Sequence, residues 1–566
     1  MDFKRDVAEL LAKSLKLEAT QVYKLLESPP DETLGDYALP CFGFAKTLKK
    51  APQQIAEDFS KKVATDGLIE RVETVGPYLN LFLKKEQLIK ETVERILKEQ
   101  QAYGKGKRQQ DHVMVEYSQP NTHKAFHVGH LRGTSIGESL ARILRYAGYK
   151  VTQTNYSGDT GMHVAKWIWC YKTFHDGEEP PKGELGKWLA SFYVEAVKRL
   201  EKNPSLEEEV RELNRKLDEG KDKELTTLWK RTRQWSIDEL NDIYAELDAH
   251  FDYWFWEREM EERAKAASKE LLKKGVAKES DGAIIMDLEE YGLGIWVLLR
   301  DDGTPLYSAK DLALAEEKFR KYKIDKSIHV VGKDQELYFK QLFKTLELWG
   351  FKQANKCFHL GFEMVRLPEG KMSSRTGQNI LYTDLRNEVF AYTEQEIRKR
   401  HDDWSDEHIA AVVKAVGICA LKFEMIHRDH NKTIIFDAAK VCDFEGDTGP
   451  YIQYTHARCN SILKKLGRPV ATAKADFSAM STEQEYRVAK KLGAFPEIIV
   501  DVATSLYPEQ LAKYALELAK AFNKFYHECP VIGSPQEAGR ASLVDATRIV
   551  LEQSLVLLGI QAPAEM

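Results

Sequence analysis

His112-Val113-Met114-Val115-Glu116-Tyr117, then His127-Val128-Gly129-His130, then the helix-like run from Leu131 to Ala147 form the passage on which the fold turns. An apolar extended segment that turns sharply through His-x-Gly-His into a helix offers backbone N–H groups and two imidazoles to a phosphate. That arrangement suits chemistry at a nucleotide α-phosphate. A second signal, Lys371-Met372-Ser373-Ser374, lies far downstream. His-x-Gly-His alone is only suggestive, so its neighbours must decide.

Outward from that passage, to about residue 385, short β-like runs alternate with helical ones: Val113 to Tyr117, Val151 to Asn155, Ser327 to Val331 and Lys356 to Leu360. Strands separated by helices predict a parallel, doubly wound α/β sheet of Rossmann type over residues 106–385. Between residues 184 and 277 the text is charge-rich and helical, as in Leu206-Glu207-Glu208-Glu209-Val210-Arg211, and reads as a solvated helical insertion. Residues 1–105 read as a separate α/β module. Amphipathic helices are predicted near Val7 to Leu15 and Gln54 to Val63, and a strand over Tyr78 to Leu83, with Gly35-Asp36-Tyr37-Ala38-Leu39-Pro40 as turn-rich punctuation. Gln101 to Arg108 is hydrophilic and reads as a linker. From 386 to 566 nearly everything has helical periodicity, which predicts an all-α bundle.

The 566 residues exceed what one core can organise, and 43% hydrophobic with 30% charged content describes an ordinary globular protein. No apolar run reaches the roughly 18 residues that span a bilayer. The first residues, Met1-Asp2-Phe3-Lys4-Arg5-Asp6, carry acids where a signal peptide would be apolar, so a cytoplasmic address and no membrane contact are expected. Seven cysteines, with no Cys-x-x-Cys pair and no paired His cluster, argue against a disulfide framework or a structural zinc. The formal net charge of −5 gives no global signature for nucleic acid, so any RNA contact must come from local patches.

Glu116 ends the first strand of the α/β region, and Asn121 stands between it and His127. Ligands of doubly wound sheets bind at the carboxyl ends of the strands, so Glu116, Asn121, His127 and His130 should share one crevice. Glu116-Tyr117-Ser118-Gln119-Pro120-Asn121 through His127-Val128-Gly129-His130-Leu131-Arg132 resembles the signature block of class I arginyl-tRNA synthetases. Asn155 to Gly161, Tyr307 to Ala313, Gly332 to Gln341 and Thr448 to Arg458 resemble that family in the same order and spacing. The resemblance covers essentially the whole chain.

It implies an enzyme that activates L-arginine with ATP and passes the arginyl group to the terminal adenosine 2′-hydroxyl of tRNA-Arg, with Mg²⁺ carried by the ATP phosphates and no zinc. By resemblance, Asp311 and Tyr307 would recognise the guanidinium, Glu116 would assist, and Asn121 and Gln335 would hold the α-amino group. A carboxylate can grip a guanidinium in a bidentate fork. Asp311 lies four residues after Tyr307, which places both on one helix face. Citrulline would leave Asp311 without its ionic partner, and rejection of such an analogue can reach about 10⁴ to 10⁵, so no editing domain is expected.

His127 and His130 would bracket the α-phosphate by electrostatic stabilisation rather than nucleophilic attack, and Gly129 would let the adenosine approach closely. Met372 and Ser373 would also lie against ATP. The usual mobile-loop motif of class I ends in Lys, whereas Ser374 stands there in this chain. Lys124, three residues before His127, is expected to compensate, sharing the phosphates with Lys371. Gln119 replaces a small serine found in many relatives and would alter how the amino group is held.

Residues 446–566 hold 13 Lys plus Arg against 13 Asp plus Glu, so charge does not mark the bundle as RNA-binding. Tyr451, Tyr454, Phe522, Phe525 and Tyr526 could stack on anticodon bases or fill the core equally well. Tyr451 is the preferred anticodon contact, Met566 at the chain end a second, and the N-terminal module would touch the outer corner of the tRNA. A monomer is expected. The rivals are another His-x-Gly-His enzyme, such as a nucleotidylyltransferase or a synthetase for a different amino acid, and a non-catalytic RNA-binding paralogue. Asp311 and the helical C-terminal half oppose the first; intact histidines and Lys371 oppose the second.

Overall fold

A computed structural model describes residues 3–29, 31–65, 67–368, 380–470 and 475–566. Lys371, Met372, Ser373 and Ser374 therefore lie outside the described residues.

The central sheet has five parallel strands in the order β11-β10-β4-β5-β6: β4 (His112–Glu116), β5 (Lys150–Ser157), β6 (Tyr253–Trp256), β10 (Lys326–Gly332) and β11 (Cys357–Phe362). From β4 the chain passes to β5 on one side and returns later to β10 on the other. The sheet therefore has its topological switch point at β4, and a crevice opens there at the carboxyl ends. The helix Val128–Tyr146 starts at that crevice and buries Leu131, Ile136, Leu140, Ile143 and Leu144. Gly137 permits a close helix–strand approach, because a Cβ there would lie 2.2 Å from the Tyr117 ring.

β6 corrects the reading of 184–277 as wholly helical insertion. Tyr253-Trp254-Phe255-Trp256 lies inside that stretch yet forms the edge strand of the main sheet, held by β5. Its four residues are too short to show a period amid charged helical text. A further antiparallel sheet, β7 (Lys278–Ser280), β8 (Ala283–Asp287) and β9 (Ile295–Leu299), precedes the helix Tyr307–Tyr322. The sequence reading missed it for the same reason.

The N-terminal module pairs β1 (Tyr37–Pro40), β3 (Tyr78–Leu83) and β2 (Ile69–Val75) in that order. Tyr37–Pro40, read as turn punctuation, is thus an edge strand, where a terminal proline is tolerated. The turn proper is Gly35, at φ +112°. The stretch read as a linker is docked rather than loose: Tyr103 is buried, and its hydroxyl donates to Leu492 O at 3.1 Å. Asp36 accepts from the Tyr486 hydroxyl and pairs with Lys490, both on the helix Glu483–Ser505, so the module is seated on the C-terminal bundle. That bundle comprises long helices from Tyr382–Arg400 to Glu537–Leu557. No described helix is long and apolar enough to cross a membrane. The seven cysteines are buried free thiols.

Candidate active site

His127 is the N-cap of the helix Val128–Tyr146, and the cap is reciprocal. Gly129 N–H donates to His127 Nδ1 at 3.1 Å, and His127 N–H donates to His130 Nδ1 at 3.2 Å. The two rings stack with centroids 3.7 Å apart. With Nδ1 of each ring serving as an acceptor, a neutral imidazole carries its proton on Nε2, so each histidine presents one Nε2–H donor. Burial, reinforced by Lys124, pushes the His127 pKa down to about 4, and burial with the neighbouring His127 and Lys124 holds His130 well below the ordinary imidazole value. Both rings are neutral near pH 7.

This corrects the expectation that backbone amides at the turn serve the phosphate. The amides of His127, Val128 and Gly129 are taken by His130, Ile380 O and His127 respectively. Gly129 has a second use besides substrate approach: a Cβ there would stand 3.0 Å from the His127 ring and push the cap open.

The histidines line a cavity of about 670 Å³ together with Gln119, Asn121, Gly129 and Gln335. Its far wall runs from Phe362 to Leu367 and includes Ile380, the residues flanking the segment that holds Lys371. Lys124 sits near the imidazoles, its Nζ 5.5 Å from the Tyr193 ring, with no ion pair among the described residues. Burial lowers its pKa, against the opposing pull of Glu257.

Asp311 and Tyr307 share the first turns of the helix Tyr307–Tyr322. Tyr307 is 53% exposed, open to a ligand rather than filling the core. Asp311 accepts a 2.5 Å hydrogen bond from the Tyr338 hydroxyl, and Tyr156 also faces it. Burial, with Glu116 nearby, pushes its pKa up to about 7 despite these hydroxyls and Lys318. No cation pairs with Asp311 among the described residues. A carboxylate this desolvated with hydroxyl partners would be stabilised in its charged form by a cation.

Glu116, expected by resemblance to assist at the guanidinium, already has partners within the protein. It is buried with Oε2 2.6 Å from Lys318 Nζ and Oε1 3.0 Å from His329 Nδ1. Burial would raise its pKa, but Lys318 and His329 override that and hold it near about 2. Gln119 folds back onto it, Nε2 to Oε1 at 3.3 Å, from a turn in which Ser118 and Gln119 both have positive φ. Asn121 Oδ1 accepts from Gly158 N–H at 3.2 Å.

Glu257, which the sequence reading missed, stands beside Asn121. It follows β6 directly, at the carboxyl end where ligands bind. A Cβ on Gly158 would meet both Asn121 Oδ1 and Glu257 Oε1, which places the two side chains together. Burial, opposed chiefly by Lys310 at 3.5 Å, pushes Glu257 up to about 7. The signal that could have revealed it was the strand before it, hidden in charged text.

In the bundle, a cavity of about 330 Å³ is lined by Phe444, Tyr451, Tyr454, Arg458, Asn523 and His527 among others. The Arg458 guanidinium lies 4.7 Å from the Tyr454 ring and 5.2 Å from the Tyr526 ring. Phe522 and Phe525 are fully buried and belong to the core instead. Met566 packs half-buried against the cluster containing Phe444 and Ile409.

Comparison with known proteins gives a consistent set of likenesses. The family of class I (R) tRNA synthetase catalytic domains matches residues 92–438, the DALR anticodon binding domain 452–566, and the arginyl tRNA synthetase N terminal domain 1–83. Arginine–tRNA ligases of Clostridium acetobutylicum and Clostridium perfringens are each 38% identical, over the full length of both chains. The solved arginyl-tRNA synthetase of Thermus thermophilus superposes with a TM-score of 0.83 at 28% identity, covering 100% of each chain.

Proposed function

This chain belongs to the class I arginyl-tRNA synthetases and ligates arginine to tRNA, and on that premise we propose how its residues divide the work. Enzymes of this class use ATP as a substrate, and Mg²⁺ comes with the phosphates. His127 and His130 donate Nε2–H to the α-phosphate, while Lys124 and Lys371 meet the β- and γ-phosphates. Gly129, Met372 and Ser373 lie along the adenosine. A carboxylate oxygen of arginine attacks the α-phosphorus, the bond to the bridging oxygen breaks, and pyrophosphate leaves with its electron pair. The 2′-hydroxyl of the terminal adenosine of tRNA-Arg then attacks the arginyl carbonyl and AMP departs.

The guanidinium goes to Asp311, flanked by Tyr307 and Glu257, and the α-amino group to Asn121 and Gln335. Glu116 shapes this pocket through its pair with Lys318 and its contact with Gln119. tRNA stacks at Tyr451, Tyr454 and Arg458, beside the half-buried Met566, and the module of residues 1–105 touches the outer corner. A catalytic domain over 106–385, a bundle over 386–566, a monomeric state and a cytoplasmic location complete the reading. No zinc has a part in it.

The single observation that carries it is Asp311: a desolvated carboxylate with no cation among the described residues, on the helix that also carries Tyr307. The test is arginylation of tRNA-Arg with arginine, citrulline and lysine in turn. Only arginine is expected to charge, and Asp311→Asn is expected to lose it. Equal use of citrulline, or an unaffected Asp311→Asn, would overturn the assignment. Pyrophosphate exchange is expected to be weak without tRNA.

A further inference from the structure

The pocket assigned above holds three carboxylates, and they are not equivalent. Glu116 faces Lys318 at 2.6 Å, with side chains 3% and 1% exposed. Glu257 faces Lys310 at 3.5 Å, a lysine that it shares with Glu261 at 3.7 Å. Asp311 has, among the described residues, the Tyr338 and Tyr156 hydroxyls and no cation. Lys318 lies seven residues after Asp311 on one helix, hence two turns along the same face.

Resting on that reading of the pocket, we propose that Lys318 is a specificity-determining residue. Its ammonium cancels Glu116 from within, which leaves Asp311 as the carboxylate without a cation among the described residues and matches the pocket to a side chain bearing one positive charge. Lys318 touches no substrate; it acts through Glu116.

Stability does not explain such a pair. Two charges fully removed from water lose about as much hydration as their attraction returns, and a well-packed apolar pair is often neutral or better. Removing one partner is another matter. Without Lys318, Glu116 would keep its contacts with His329 and Gln119 but stand as a second carboxylate lacking a permanent cation, close enough to raise Asp311, and the two would share a proton or take up an adventitious cation. Arginine would then have to displace that proton or ion. Around Asp311 stand Tyr338 on the helix Glu336–Trp349, Tyr156 on β5, Glu116 on β4, Glu257 on the helix Glu257–Lys273, and Tyr307 and Lys318 on its own helix. His329 on β10 completes the surroundings of Glu116. Among the described residues of this set, Lys318 is the permanent cation facing Glu116.

The experiment is the pH dependence of kcat/KM for arginine in full-chain tRNA arginylation, at saturating ATP and tRNA, for Lys318→Met, Glu116→Gln and the double variant. Lys318→Met leaves an extra negative charge, so the apparent midpoint should rise by about one unit, with arginine kcat/KM about tenfold lower below it. Glu116→Gln leaves an extra positive charge, so the midpoint should fall. The double variant should return close to the wild-type midpoint, and the KM for ATP should change less than about twofold throughout, well within a fraction of the charge effect.

A purely structural role would give losses of one sign that accumulate in the double variant, and that pattern would overturn the proposal, as would unshifted midpoints in both single variants. If Lys318→Met does not fold, Glu116→Gln and the double variant still read the sign and the cancellation. Asp311→Asn separates the two levels: if it leaves arginine kcat/KM intact, the pocket assignment fails; if it abolishes it while the midpoints do not move, only the role of Lys318 fails.

Discussion

The Tyr338 hydroxyl donates a 2.5 Å hydrogen bond to Asp311, and no cation pairs with that carboxylate among the described residues. Burial without a cation leaves that carboxyl close to half-protonated near pH 7.

Arginine use should consequently depend on pH. Asp311 lies at about 7 in the empty pocket, and the guanidinium needs it ionised. Below that pH, arginine must expel a proton to bind, so kcat/KM for arginine should fall by up to about tenfold per unit as the pH drops. A flat profile down to pH about 5 would contradict this.

Asp311→Asn should reduce arginine kcat/KM by about 10² to 10⁴, the scale of about 3–5 kcal/mol for breaking a desolvated charge pair. Its effect on stability has the opposite sign. A carboxyl raised in the folded state binds its proton more tightly folded than unfolded, so it destabilises progressively from the unfolded value of 3.8 up to about 7, and fully above. Thermal scans of the empty enzyme above that pH should show Asp311→Asn unfolding at a higher Tm than wild type. Added L-arginine should raise the Tm of the wild type alone.

Replacing His127 or His130 by Ala should lower kcat for arginine activation by about 10² to 10³, as for loss of one preorganised donor to a developing charge. Because both rings are neutral well above their depressed pKa values, the kcat profile should carry no imidazole limb between about pH 6 and 7. Gly129→Ala should produce a similar loss by forcing the His127 ring from its cap. Single-turnover activation with tRNA present measures all three.

Lys124→Ala should slow activation by about tenfold or more, in the range of a lost charge-assisted contact to phosphate, and should raise the KM for ATP more than that for arginine. Full retention of the activation rate would end the idea that Lys124 supplies the charge missing at Ser374.

Tyr451→Ala and Tyr454→Ala should raise the KM for tRNA-Arg, each by about 1–3 kcal/mol of lost stacking, without altering the KM for ATP or arginine. Phe522→Ala should instead unfold the bundle more easily, by about 3–5 kcal/mol, because its ring is fully buried. tRNA titrations and denaturant melts distinguish the two behaviours.

The amino-acid order alone determined a good deal. Alternating apolar runs marked four of the five central strands, His127-Val128-Gly129-His130 marked the crevice, and the collinear blocks pointed to arginine through Asp311 and Tyr307. Such features are local: periodicity, a turn, a helix start and a spacing of four residues are written within a few neighbours. Other features depended on which groups face one another across the fold. β6 joins the sheet only because β5 offers it a partner, and with it Glu257 reaches the pocket. Glu116 is tied down by Lys318 and His329, both more than two hundred residues away in sequence. The amides of the turn are consumed by its own imidazoles and by Ile380. Phe522 is core and Tyr454 surface, although both are aromatic residues on helices of one bundle. Charge compensation and burial are set by distances through space, and only the tertiary structure decided that Glu116 has a buried lysine partner while Asp311 has hydroxyl partners.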